Sequence, residues 1–395
     1  MAIHSQDMKL GDLSLVRNGP AYRLACLVGL GEAHGKRRAL KILLLILVTW
    51  VPLLCLSLLR GEAWGRELVR VPLLEYPVIY SRFLFVLPLL ELARRLVEKS
   101  MARQTRQFLR AGLVREQDQE AFANAQATVL GWRNSNLGEA VILVLACVLP
   151  LVMQVGVGLG SREASWSRTT QMTITPAGWW YILVSLPILF FFLLRWLWVY
   201  LLWASFLAQI SSLKLELTPT HPDQAGGLGF LASGLVGYAP IVMAVSAVIS
   251  GGFAYEILHH DTSLNSLKYH VVVLVAVCLL VLHAPLLVFA NQLRKCRVSG
   301  LYEFARLVGG HDRAFDERWV RDPGTDPGKL LGNPDATSVA MLAQVYDHIQ
   351  EMQVILFDKK SLKMLVAAAL FPLVPLLWTA LPISEILGKL AHLMM

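Results

Sequence analysis

Charge is what this sequence has least of. Only 16% of its 395 residues are Asp, Glu, Lys or Arg, against 55% hydrophobic, and several apolar stretches of membrane-spanning length carry no charge at all. Soluble core helices rarely run about 18 residues without a charge, so an ordinary soluble domain is excluded. Cysteine is scarce too: Cys26, Cys55, Cys147, Cys278 and Cys296 lie far apart and form no CxxC pair. That excludes a disulfide framework and a cysteine zinc site. There is no Walker loop, no GxSxG, no HExxH and no glycine run in a Rossmann context, so no soluble-enzyme signature is present. No cofactor and no metal are expected. The first apolar run starts at Ile42, behind Arg37 and Arg38, and no small-residue cleavage signal follows it, so it is read as a retained helix. No internal repeat is found, and an odd number of spans argues against an inverted-repeat transporter.

What is present is an all-α integral membrane bundle of about seven transmembrane helices with cytoplasmic helical extensions. Uninterrupted apolarity places the spans at 42–59, 71–92, 140–157, 179–201, 228–249, 271–290 and 365–381. The second carries Glu75, Arg82 and Glu91 and three prolines, so it reads either as a crossing or as a partly re-entrant, protein-buried segment. Lys and Arg number seven before the first span, eight between the second and third, one between the fourth and fifth and eleven between the sixth and seventh, or 27 on one side against seven on the other. Positive loops stay cytoplasmic, which puts the N-terminus inside and the C-terminus outside. The net charge of +8 follows from this asymmetry and does not imply nucleic acid.

The chain divides into a cytoplasmic segment 1–41, six spans within 42–290 including a cytoplasmic helical hairpin at about 93–136, a cytoplasmic helical region 291–363, and the last span with its tail, 364–395. The hairpin is expected to turn at Gly112. In the third cytoplasmic region a Pro/Gly-rich loop, 322–335, precedes a helix whose apolar stripe is Val339, Leu342, Tyr346, Ile349 and Leu356. The stripe is expected to pack on the hairpin or on a second subunit.

Turn chemistry is densest in Thr218-Pro-Thr-His-Pro-Asp-Gln-Ala-Gly-Gly-Leu-Gly-Phe230, where the chain re-enters the membrane. Asp223 or Thr220 can cap the helix that follows, and Gly226, Gly227 and Gly229 allow close backbone approach. Free amides at a helix N-terminus attract anions, so one reading is a phosphate or carboxylate site formed by His221, Asp223, these glycines and Arg195. The plainer reading is a cap with glycines for tight packing. His221 and Asp223 alone do not make a metal site. His259-His260-Asp261 reads as a solvated loop or, less simply, as metal ligands. Arg82, Gln154 and His283 are the intramembrane polar candidates, because ionisable groups in lipid are costly and often functional. Arg82 is expected to pair with an acid such as Glu139, His283 with a carbonyl freed by Pro285, and Arg195 to reach the inner headgroups.

The segment His221-Pro-Asp-Gln-Ala-Gly-Gly-Leu-Gly-Phe-Leu231 resembles the hallmark of a group of uncharacterised bacterial multi-helix membrane proteins. Similar segments are Arg313–Trp319, Leu330–Asp335 and the proline-interrupted last span with its Ile383-Ser-Glu-Ile-Leu tail. The resemblance covers most of the chain and implies that the three cytoplasmic segments belong together; it implies no activity. An inside-N, seven-helix plan is also similar to that of insect chemoreceptor channels, in topology alone. The expected partners are the lipid bilayer, further copies of the chain and a small anionic ligand. The leading functional expectation is an oligomeric channel-like or receptor-like protein. The alternatives are a membrane enzyme or carrier for a lipid-linked or phosphorylated substrate, and a membrane scaffold subunit.

Overall fold

Proline positions and apolar runs decide where this chain is helical and where its helices widen. The computed structural model describes residues 13–16, 36–64, 71–156, 165–169, 171, 173–260, 262–321 and 334–380. Among them helices follow in the order α1 (Arg38–Leu59), α2 (Leu87–Arg110), α3 (Gln119–Arg133), α4 (Asn136–Gln154), α5 (Pro176–Ser211), α6 (Gly229–His259), α7 (Ser266–Val320), α8 (Pro334–Gln350) and α9 (Lys359–Leu377). No strand forms among the described residues, where isolated bridges such as Val71 with Ser165 pin loops at one end of the bundle. Six helices, α1, α4, α5, α6, α7 and α9, are long and apolar enough to cross a bilayer, which makes this an all-α, multi-pass membrane protein.

The expected span at 71–92 is the exception. Leu73–Glu75 form a single 3-10 turn, and the helix starts at Pro77 and runs through Tyr80–Val86 into α2. Arg82, Glu91 and Arg94 fall within its first 18 residues, which keeps it out of the uncharged class. One face of it packs along α6, while Leu84, Phe85 and Leu92 on the other are exposed.

Two of the four π-helical stretches among the described residues are Tyr80–Val86 and Tyr181–Ser185. Each lies just before a Leu-Pro pair, Leu87-Pro88 and Leu186-Pro187. Proline has no N–H and its ring displaces the carbonyl four residues back, so the helix takes up one extra residue. The Leu87 N–H accordingly donates to the Arg82 carbonyl, and the Leu186 N–H to that of Tyr181.

The α2 extension and α6 approach closely because α6 carries small residues on that face. A Cβ on Gly251 would sit 2.1 Å from Ser81 Oγ and 2.9 Å from Ser81 Cβ, whereas one on the adjacent Gly252 would meet nothing within 4 Å. Gly251→Ala should therefore cost about 1–3 kcal/mol by overpacking, while Gly252→Ala is neutral. Thermal unfolding of the two variants in one detergent checks this contrast.

On the side that carries most of the Lys and Arg, hereafter the basic side, the expected hairpin is present. α2 ends at Arg110, Gly112 takes a positive φ of 67°, and the Leu113 N–H reaches back to the Phe108 carbonyl before α3 begins. Phe108 packs on Phe122, Phe230 and Phe289, at centroid distances of 6.3, 5.1 and 6.2 Å, so α2, α3, α6 and α7 share one aromatic core. The α8 stripe corrects the sequence reading: α8 packs along α7 and not on the hairpin, and Leu356 lies beyond the end of the helix at Gln350. Most of the 322–335 loop, the 383–390 tail and Asp261 lie outside the described residues.

Candidate functional site

The turn between α5 and α6 is built around one carboxylate. Asp223 Oδ1 accepts from the backbone N–H of Ala225 (2.9 Å) and Gly227 (3.1 Å), and Oδ2 from that of Gly229 (2.8 Å), the first residue of α6. His221 Nδ1 lies 2.7 Å from Asp223 Oδ1. Positive φ at Gln224 (54°), Gly226 (62°) and Gly227 (96°) aims these amides inward, and a Cβ on Gly229 would meet the Asp223 side chain at 2.9 Å. Burial pushes the Asp223 pKa up, but the three backbone donors and the His221 ring outweigh it and hold the carboxyl below its ordinary value of 3.8. Donors that could bind a phosphate are thus already taken by the chain's own acid. Among the described residues no group of three His, Cys, Asp or Glu side chains could hold a metal.

The turn also fastens neighbouring segments to one another. Gln224 O accepts from the Gln353 N–H (2.7 Å), Gln224 Nε2 donates to Glu351 (2.9 Å), and the His348 ring lies 2.9 Å from the His221 carbonyl. Upstream, the Glu216 N–H donates to the Leu113 carbonyl at the α2–α3 turn (2.9 Å). From α7, Gln292 Nε2 caps the end of α5 through the carbonyls of Ser211 and Leu213, both at 2.7 Å. Cys296 bonds the Leu217 carbonyl and Gly300 meets Pro219, where a Cβ would come within 2.6 Å. Sequence reading missed Gln292, Cys296, Gly300, His348 and Gln353. The four-residue spacing of the first three on one α7 face was the available signal. Asp358 then starts α9, accepting from Ser361 N–H (2.8 Å) and Oγ (2.5 Å).

Arg195 is not part of this turn. It sits sixteen residues before the end of α5, about 24 Å along the helix, and its Nη1 donates to Glu139 in the first turn of α4 (3.0 Å). The same level holds Lys41 and Arg94 on Glu91, at 2.9 and 3.9 Å. The expected pairing of Arg82 with Glu139 is therefore corrected. Arg82 Nη1 donates to the Tyr181 hydroxyl, joining two of the π-helical stretches, and no acid pairs with it among the described residues. His283 is corrected as well: its Nδ1 lies 2.8 Å from the Leu279 carbonyl. The carbonyl that Pro285 frees, on Val281, accepts from the Tyr200 hydroxyl. Gln154 falls at the end of α4, where its carbonyl accepts from Arg168. His259 and His260 flank the Tyr255 ring at 4.8 and 5.5 Å.

Comparison of the chain with protein families, curated proteins and solved structures finds no match in any of the three.

Proposed function

We propose that this chain is an oligomeric channel-like or receptor-like protein of a bacterial inner membrane, with its N-terminus and basic side in the cytoplasm. In this reading the carboxylate-centred turn is a coupling joint and not a ligand pocket. The observation that carries it is the set of bonds joining that one turn to the α2–α3 hairpin, to α7 and to the 348–353 segment that leads into α9. Movement of the cytoplasmic helices reaches the last span through a backbone bond, Gln353 to Gln224, next to glycines that tolerate backbone rotation. Positive loops on this side support the orientation. Reconstituted in liposomes, the protein should run as an oligomer and pass a dye-reported ion flux that Gln224→Pro alters. A monomer with no flux under any tested ligand would overturn the reading.

One observation favours a second reading, a membrane enzyme or carrier for a phosphorylated or lipid-linked substrate. Asp223 orients the partly exposed His221 ring and leaves Nε2 without a partner among the described residues, the geometry of a general base. His221→Gln would abolish turnover there, but leave a channel conducting.

A further inference from the structure

Between α1, α2 and α5 lies a cavity of about 170 Å³ whose lining includes Lys41, Glu91, Arg94 and Arg195 together with Phe191, Phe192 and Trp196. Its depth is set by the helices. Lys41 is in the first turns of α1, Glu139 in the first turn of α4, and Arg195 nineteen residues into α5, about 28 Å from that helix's far end. That rise is close to the ~30 Å hydrocarbon thickness of a bilayer, so the polar groups share the level of the basic-side headgroups.

Lys41, Arg94 and Arg195 border the cavity beside Glu91, and Arg38 on the adjoining turn interacts with Glu91, Arg94 and Arg95. Arg195 commits only Nη1, to Glu139, and its other N–H groups have no partner among the described residues although the side chain borders the cavity. A planar guanidinium with open donors beside an ammonium matches phosphate oxygens. The remaining wall is aromatic and aliphatic, and it faces a helix surface whose outward residues, such as Leu43, Leu44 and Leu47, are apolar and exposed. The cavity is also smaller than the ~300–1,000 Å³ usual for an enclosed small-molecule site. It has room for a headgroup phosphate while acyl chains stay outside.

We infer that this cavity binds the phosphate of an anionic phospholipid from the basic-side leaflet, held by Lys41, Arg94 and Arg195. The inference is independent of the coupling role given to the α5–α6 turn.

The test uses the full chain, stripped of lipid in a neutral detergent, with thermal midpoints followed against added phosphatidylglycerol, phosphatidylcholine of the same acyl chains, or inorganic phosphate. Phosphatidylglycerol should raise the midpoint at lower concentration than either. Lys41→Met and Arg94→Met should each weaken that effect about fivefold, near the usual value of one basic residue at an anionic surface. Arg103→Met, further along α2 at an exposed site, should not change it. Equal protection by phosphatidylcholine would overturn the site, and equal protection by inorganic phosphate would overturn the lipid assignment. The comparison on the unsubstituted protein decides the matter even where a variant does not fold.

Discussion

Glu139→Gln lowers the stability of the solubilised protein by about 3 kcal/mol, the usual cost of removing one partner of a buried ion pair. The Glu139 and Arg195 side chains are 12% and 20% exposed, so water contributes little to their solvation. They join α4 and α5, which pack along much of their length, with Gly138 one residue away set against Trp198. Without the carboxylate, the largely buried guanidinium loses its one acceptor among the described residues. Glutamine also removes a negative charge from the first turn of α4, where the helix dipole favours one. The double replacement Glu139→Leu with Arg195→Met should recover most of the loss, since both desolvation costs vanish together. Thermal or denaturant unfolding of the single and double variants gives the comparison. A single variant as stable as the native chain would mean that the pair is screened by water.

Six spans were legible because a helix in lipid satisfies its own backbone and leaves side-chain apolarity as the dominant signal. The seventh expected span was harder for the same reason: Arg82, Glu91 and Arg94 are solvated by Tyr181, Lys41 and neighbouring charges supplied by other helices, which no local window contains. The Gly112 hairpin was legible because its turn chemistry is local. Partner choice was not. Arg82 and Glu139 are the right types to pair, but the π-helical widening ahead of Pro88 and Pro187 aims Arg82 at Tyr181, and α4 faces α5 through Glu139 and Arg195. Likewise Pro285 announces a freed carbonyl without saying that Tyr200, 81 residues earlier than Val281, will bond it. The conspicuous HPDQAGGLGF motif was found at once. Its two readings separate only when Asp223 is seen to occupy the amides that an external anion would need.

Asp223→Ala should cost about 3 kcal/mol, because it strips a charged acceptor from three backbone donors and one imidazole at a half-buried turn. Asparagine should restore only part of this. It offers one carbonyl oxygen in place of two carboxylate oxygens, and its NH₂ group would face either the Gly229 donor or those of Ala225 and Gly227. The pH dependence follows from the depressed folded pKa of Asp223. An acid whose pKa falls on folding adds stability that is fully present above its unfolded value, 3.8, and is lost as pH drops through the lower folded value. The difference between native and Asp223→Ala protein should therefore be constant from neutral pH to about pH 5 and shrink below 3.8. The loss should also have a location. With the turn loosened, Gln224 no longer presents its carbonyl to Gln353, so hydrogen exchange at the Gln353 amide should accelerate together with that at Gly227 and Gly229. The Leu113 amide, held by the Phe108 carbonyl inside the hairpin, should keep its protection. If Gln353 exchanges no faster in the variant, the turn is only a cap for α6 and does not couple the basic-side helices to α9.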